Sequence, residues 1–341
     1  MRSRVRSVVL LSASGLLGLA VVAGCDAQGT TDKPKSTRHV VTCTTGMVAD
    51  IVRQIAGDKA EVRGIMGEAV DPHLYQATRN DIARLAESDV IFYSGLMLEG
   101  RMSDALMKIG RKRPVFAVTE LLDKTLLLEP PEFKGHYDPH VWMDASLWKQ
   151  STRMVAEALA EFDPENKAFY SGNYEKYAEQ LDELDDYARR TLATIPHERR
   201  ILVTAHDAFN YFSRAYDLQV EGIQGISTES EAGIADIGRL VNLIVDRRIP
   251  AVFVESSVSH KNVMALIEGA EARGHKTVIG GTLFSDAMGP PGTYEGTYIG
   301  MIDHNVTTIA GALGGSPPAG GMSGKLDGHG GRSTASTTAK E

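Results

Sequence analysis

Four side chains able to bind a metal ion follow short apolar segments of this sequence. The triplet Asp-Pro-His occurs twice, at 71–73 and at 138–140, in a chain that has ten histidines. Proline fixes its own φ and drives the preceding residue towards extended backbone, so each triplet holds its histidine on a stiff, non-helical loop. His206 directly follows the apolar segment ILVTA, and Asp286 comes soon after KTVIGGTLF.

These four residues, two from each half of the sequence, could together bind one divalent cation. Three imidazoles and one carboxylate make a complete set of ligands for Zn²⁺, and the same donors accept Mn²⁺ or Fe²⁺. The spacing alone does not prove that they converge. A histidine on a rigid loop neither fills a core nor stabilises a helix, which favours a functional role for His73 and His140. For His206, a structural role before the segment DAFNYFSRAY stays equally open.

Several nearby polar residues are weaker candidates. Glu255, at the end of AVFVES, is predicted to orient a ligating histidine, with direct ligation as the alternative. His136 precedes His140 by four residues, but Pro139 breaks any helix that would align them, so His136 is interpreted as a rim residue. Four aspartates could orient ligands or cap helices: Asp71, Asp138, Asp144 and Asp207. A structural role is assigned to His39, His197, His260, His275 and His304.

Eight apolar β-type segments must position these residues, and helical patterns separate most of them. The first half contains HVVTCT, AEVRGI, DVIFYS and PVFAV, and the second contains RILVTA, LQVEGI, AVFVES and KTVIGG. This alternation predicts an α/β fold of two lobes, each with a four-stranded, mainly parallel sheet and flanking helices. Because ligands bind beyond the carboxyl ends of such strands, the four candidate ligands are expected in a cleft between the lobes.

One long helix is predicted to link the lobes. Asp163-Pro164 can begin it, Pro196 ends the segment, and apolar residues recur between them at steps of three or four. The predicted divisions are an N-terminal lobe at 39–162, a linking helix at 163–196 and a C-terminal lobe at 197–313. Two helices that meet near Gly172 are the alternative. A stiff link between the lobes predicts small movements on ligand binding.

The two ends of the chain carry different signals. Residues 1–24 have a basic front followed by a short apolar stretch, as in a bacterial secretory signal peptide. The stretch ends in Val-Ala-Gly-Cys25, which resembles the lipobox whose cysteine is acylated, with an ordinary signal as the alternative. Residues 25–38 are predicted to be a flexible spacer, and the Gly-, Ser- and Thr-rich segment 314–341 a disordered tail.

Charge and motif content exclude several classes of protein. The formal net charge is −8, and three of the arginines lie in the predicted signal peptide. An acidic exported chain is not expected to bind nucleic acid, and its field favours cations. With Cys25 acylated, Cys43 has no partner for a disulfide and is interpreted as a buried strand residue. The sequence contains no H-E-x-x-H, G-x-S-x-G or Walker-type motif.

Six segments resemble the zinc- and manganese-binding receptor lipoproteins of bacterial ABC metal importers, the cluster A-I solute-binding family. They are VDPHLYQAT, DPHVWMD, VTAHDAFNYFSRAY, QGISTESEA, FVESSVSHKNV and GGTLFSDAMG. The resemblance extends over nearly all of Val40 to Leu313. It implies two α/β lobes joined by one long helix, with one metal ion per chain held as the transported substrate by His73, His140, His206 and Asp286.

The resemblance also implies a cellular role. A monomeric receptor would be anchored by lipid on the outer face of the cytoplasmic membrane and would deliver its ion to an ABC permease with a cytoplasmic ATPase. Relatives that favour manganese often have a glutamate where this chain has His206, whereas relatives with three histidines are commonly zinc binders. Zinc is therefore expected first and manganese second. The histidine-rich loop of some zinc receptors is absent, which keeps manganese open.

Two other functions fit some of the same residues. A zinc-dependent hydrolase would need an open coordination position for water and a general base, for which Glu255 or Asp207 could serve. A surface adhesin with a structural metal is compatible with lipoprotein status, although no residue specifies its partner.

Overall fold

The eight strands predicted from the sequence are all present in the computed structural model, which describes residues 38–326. The strands of the first half are β1 (His39–Cys43), β2 (Ala60–Gly64), β3 (Val90–Tyr93) and β4 (Val115–Ala117). They form the predicted four-stranded parallel sheet, and its strand order is β2-β1-β3-β4. The predicted signal peptide, Cys25 and residues 327–341 lie outside the described residues.

The helices of the first half are α1 (Gly46–Ala56), α2 (Arg79–Glu87), α3 (Ser103–Gly110) and α4 (Ala145–Phe162), and side-chain caps begin all of them except α3. The hydroxyl of Thr45 accepts a backbone hydrogen bond at the start of α1, and Thr78 forms a capping box with Asp81 at the start of α2. The carboxylate of Asp144 caps α4. Short 3₁₀ helices connect elements throughout the described chain: Gly57–Lys59, Gly100–Met102, Lys124–Leu126, Pro131–Phe133, Val141–Met143, Pro164–Asn166 and His197–Arg199.

The second half repeats the alternation of strand and helix. Its elements are β5 (Ile201–His206), α6 (Asn210–Tyr216), β6 (Gln219–Gln224), α7 (Ile234–Asp246), β7 (Ala251–Glu255), α8 (Lys261–Glu271), β8 (Val278–Leu283) and α9 (Tyr298–Ala312). Backbone hydrogen bonds join β5 to β6 and β7 to β8 in two separate parallel pairs, with β5 beside β7, where a single four-stranded sheet was predicted. At the end of this junction the N–H of His206 donates to the side chain of Glu255 instead of to a backbone carbonyl.

One continuous helix links the two halves. Helix α5 (Lys167–Leu192) has 26 residues, which corresponds to a length of about 39 Å at 1.5 Å per residue. It runs through Gly172 without interruption, so the alternative of two helices is not what forms. It packs against α1 and α4 of the first half and against α6 and α9 of the second.

The two halves also share a hydrophobic core and direct hydrogen bonds. Residues from both halves belong to the largest cluster of buried apolar side chains, and residues 38–326 fall within one compact unit. The indole N–H of Trp142 donates to the carbonyl of Ser285 at 2.8 Å, and the hydroxyl of Tyr298 donates to the carbonyl of Trp142 at 2.7 Å. The buried carboxylate of Asp50 accepts from the Tyr177 hydroxyl on α5 and from the backbone N–H of Tyr298 on α9.

Part of the predicted disordered tail is folded. The N–H of Ser316 donates to the hydroxyl of Thr194, and the N–H of Met322 donates to the buried carboxylate of Asp303 on α9. The prediction of disorder from residue 314 is therefore wrong for 314–326, because these turns satisfy polar groups of the core. Among the helices of residues 38–326, none combines the length and the apolar character needed to cross a membrane.

Candidate metal centre

The structure brings the four predicted ligands together. One nitrogen or oxygen atom from each of His73, His140, His206 and Asp286 lies within 4.8 Å of every other. His140 and His206 are fully buried, and Asp286 and His73 are only 2% and 5% exposed. The four residues come from loops after β2, β4 and β8 and from the last residue of β5. This is the carboxyl-end placement expected for parallel strands.

The inner atoms of the cluster have no satisfactory partners among themselves. The Nε2 atom of His206 is 3.2 Å from Oδ2 of Asp286, and that of His140 is 3.3 Å from Oδ1. The Nε2 atom of His73 lies 3.3 Å from Nε2 of His140. Both oxygens of Asp286 and Nε2 of His206 are buried without a hydrogen-bond partner. Buried polar atoms are rarely left unpaired, and a cation placed among these donors would satisfy them.

A buried aspartate holds His140 from behind. The carboxylate of Asp138 lies 2.8 Å from Nδ1 of His140 and also accepts the backbone N–H of that residue. The second oxygen of Asp138 accepts from Asn210, and its carbonyl accepts from Tyr211, both on α6. The imidazole is thereby turned so that Nε2 faces the cluster.

Glu255 orients the ring of His206 in the way that Asp138 orients that of His140. This glutamate is fully buried, with Oε2 at 2.5 Å from Nδ1 of His206 and Oε1 at 2.9 Å from its backbone nitrogen. Glu255 does not belong to the group of four converging side chains. Its position is that of the predicted orienting carboxylate, and not that of the alternative ligand.

His73 is tied across the cleft by a residue that sequence reasoning did not single out. The carboxylate of Asp71 accepts the backbone N–H of His73 at 2.8 Å and the hydroxyl of Thr228 at 2.5 Å. Thr228 belongs to QGISTESEA, one of the six segments that carry the family resemblance, but the resemblance assigned no role to Thr228 itself.

Comparison with known proteins identifies the family. The family model described as "Zinc-uptake complex component A periplasmic", ZnuA, matches residues 41–312. The chain belongs to the ZnuA family. It is 47% identical over 301 residues to the zinc-binding protein TroA of Treponema pallidum, a match that covers 87% of this chain and 96% of TroA. It is 43% identical over 313 residues to the manganese-binding lipoprotein MntA of Bacillus subtilis, covering 92% and 100% of the two chains.

A solved structure shows that this ZnuA-family chain has a two-lobe fold. The structure of the periplasmic zinc-binding protein TroA from Treponema pallidum matches with a TM-score of 0.79 and 48% sequence identity. The match covers 81% of this chain and 99% of TroA. The predicted fold class, two α/β lobes joined by a long helix, is confirmed.

The remaining candidate residues of this ZnuA-family chain lie outside the cluster of four ligands. Asp144 caps α4, and Asp207 accepts from the Asn210 amide. His136 lies beside Phe133 and lines a cavity of about 390 Å³ outside His73, which is the rim position predicted for it. The five histidines predicted to be structural, none of which is in the cluster, are His39, His197, His260, His275 and His304. Cys43 is buried, and burial raises the pKa of its thiol, so it is not an activated nucleophile.

Electrostatics differ among the three histidines of this ZnuA-family site. Burial lowers the pKa of His73 to about 3, although the charge of Asp286 opposes the shift. Burial also acts to lower the pKa of His140, but the carboxylates of Asp138 and Asp286 outweigh it and raise that pKa to about 9. The pKa of His206 is raised well above its usual value, since Glu255 and Asp286 overcome burial in the same way.

Asp286 responds in the opposite direction. Burial would raise the pKa of its carboxyl, yet the charges of His206 and His140 hold that pKa well below its usual range. The centre therefore keeps an ionised carboxylate in contact with groups that can carry positive charge. A divalent cation fits this environment.

Proposed function

We propose that this ZnuA-family chain is the extracytoplasmic receptor of a metal importer. It captures one divalent cation per chain and delivers it to an ABC permease driven by a cytoplasmic ATPase. The observation that carries the proposal is the convergence of four buried ligand atoms within 4.8 Å. The names of two relatives, a zinc-binding protein and a manganese-binding lipoprotein, support the same class of ligand.

Zinc is the proposed ion, and manganese is the second choice. His73, His140, His206 and Asp286 would supply three imidazole nitrogens and one carboxylate, a set that suits tetrahedral zinc. Manganese prefers oxygen donors, of which this set has fewer. Because the ion is cargo, it must also leave, and docking on the permease would have to separate the ligands of the first half from those of the second.

We propose further that the chain is not a hydrolase. Catalytic zinc sites retain three protein ligands and one open position for water. Here a fourth protein group, Asp286, already lies among the histidines. Glu255, the candidate general base, is bonded to both the ring and the backbone of His206 and does not face a substrate position.

The proposal extends to the ends of the chain. Residues 1–24 would be removed as a signal peptide, and Cys25 would carry the lipid that anchors a monomeric receptor to the outer face of the membrane. Two relatives named as lipoproteins, MntA of Bacillus subtilis and PsaA of Streptococcus mitis, support this assignment. Mass spectrometry of the membrane-extracted protein would test it, since an unmodified Cys25 contradicts the anchor.

The test of the function is the metal itself. Protein purified without added metal is expected to contain close to one equivalent of zinc by elemental analysis, and zinc should displace manganese in competition. His73→Ala should bind zinc roughly a hundredfold more weakly or worse while keeping its circular dichroism spectrum. Unchanged zinc affinity in this variant would contradict the ligand assignment. Hydrolysis of generic esters or peptides by the zinc-loaded protein would instead favour the enzyme.

A further inference from the structure

We infer that Thr228 is a positioning residue that controls how fast the metal leaves, an inference that rests on the proposed metal-receptor function. Thr228 lies in the loop between β6 and α7, on the opposite half of the molecule from His73. Its hydroxyl donates to Oδ2 of Asp71 at 2.5 Å, while Oδ1 of Asp71 accepts the N–H of His73 at 2.8 Å. One carboxylate thus connects the loop of the second half to a ligand of the first.

His73 is the ligand that faces the exit. It is the most exposed of the four ligands, and it lines the cavity of about 390 Å³ together with Arg101, Ser227 and Glu229. Asp286 is 2% exposed, and His140 and His206 are fully buried. An ion that leaves the centre through this cavity must pass His73 and the loop that carries Thr228.

A second contact holds the same loop to the other flank of His73. The guanidinium of Arg101 pairs with Glu229 at 2.9 Å and donates to the carbonyl of Leu74 at 3.2 Å. Both residues of this ion pair are substantially exposed, so solvent and salt screen it. Thr228 is only 7% exposed and bonds to an aspartate, which makes it the stronger of the two connections.

The expected effect on metal release follows from the loss of the hydrogen bond between Thr228 and Asp71. When the Thr228 bond breaks, Asp71 loses a neutral donor and keeps its hydrogen bond from the backbone N–H of His73. The loop is then held near His73 through the weaker, exposed Arg101–Glu229 pair and separates from His73 more readily, which opens the cavity towards solvent. Such a change acts mainly on dissociation, because it loosens the closed state more than the encounter of the ion with the site.

The experiment measures zinc release from the full-length protein by stopped-flow mixing with an excess of a chromogenic chelator. Thr228→Val removes the hydroxyl and keeps the branched shape, and it is expected to raise the dissociation rate about tenfold. Thr228→Ser restores the hydroxyl and is expected to restore a rate close to that of the wild type. Thr125→Val serves as a matched control, because it removes a hydroxyl that donates to Asp123 on an exposed turn away from the cluster.

The outcomes are distinct. Fast release from Thr228→Val, with the thermal midpoint of the zinc-free protein unchanged and slow release from the other two variants, supports the inference. Equal rates for Thr228→Val and wild type overturn it, and so do equally fast rates for the valine and serine variants, since shape and not the hydroxyl would then matter. A wild-type chain that binds neither zinc nor manganese overturns the receptor proposal and this inference with it.

Discussion

The three histidines of the centre are held in different ways by the groups behind them. The Nδ1 atoms of His140 and His206 each lie within hydrogen-bond distance of a fully buried carboxylate, that of Asp138 or Glu255, which accepts from the ring N–H. For His73 the partly buried carboxylate of Asp71 contacts the backbone N–H and not the ring. Carboxylates bonded to the far nitrogen fix the orientation of a ligating ring and raise its basicity. The two deep histidines are therefore the preorganised part of the site.

Glu255→Gln tests this preorganisation. The amide keeps the size of the side chain but removes the charge beside His206, so zinc affinity is expected to fall about 10- to 100-fold. Competition with a chelator of known affinity measures the change. Glu221→Gln is a suitable control, because Glu221 pairs with Arg239 on the surface. Equal affinities for the two variants would show that the charge behind His206 does not matter.

Zinc binding is expected to release protons. The raised pKa values of His140, about 9, and of His206 mean that the empty centre holds protons at neutral pH. Zinc requires the unprotonated nitrogens, so its apparent affinity should rise with pH through neutrality, by about tenfold per pH unit for each proton released, and level off only above the pKa values of both His140 and His206. Calorimetry in buffers of different ionisation enthalpy counts these protons. A binding enthalpy independent of the buffer would contradict the raised pKa values.

At the scale of elements, the sequence was most informative where a local rule applies. The strand segments, the stiff Asp-Pro-His loops and the long linking helix all followed from periodicity, proline geometry and length. The convergence of the four ligands did not, because spacing cannot place residues of two separate halves within bonding distance, and the family resemblance supplied it. The Thr228–Asp71 contact and the folding of residues 314–326 depend on tertiary packing, for which a single sequence carries no periodic signal.

Gly172 gives an element-scale prediction. It lies inside the continuous helix α5, and a Cβ added there meets no other atom within 4 Å. Alanine removes conformational freedom from the unfolded chain, so Gly172→Ala should raise the free energy of unfolding by about 0.5–1 kcal/mol. Urea denaturation measures it.

Gly57→Ala is the matched control of opposite sign. Gly57 has a φ of +50°, and its added Cβ would lie 2.9 Å from the Phe169 ring, so this variant should be destabilised. If Gly172→Ala instead lowered the free energy of unfolding, the glycine would be required for a bend in the helix.

At the scale of the whole molecule, the centre lies between halves that are joined in several places. The hydrogen bond from Trp142 to Ser285 connects the loop of His140 directly to the loop of Asp286, since each is near its ligand in sequence. Tyr298 and Asp50 add further bonds between the halves, and α5 packs on both. Wide hinge opening would break buried hydrogen bonds and expose a shared core. Local loop movement at Thr228 requires neither.

The molecule is therefore expected to change little in size when zinc binds. The radius of gyration from small-angle X-ray scattering should differ by less than about 1 Å between the zinc-free and zinc-loaded protein. Trp142→Phe removes the indole N–H that the Ser285 carbonyl accepts, so it should enlarge this difference and weaken zinc binding. His73→Ala, mixed with the same zinc concentration, separates effects of the centre from those of zinc elsewhere on the chain. Compaction by several ångströms in the wild type would mean that the halves close about a hinge, and that their shared core opens in the empty state.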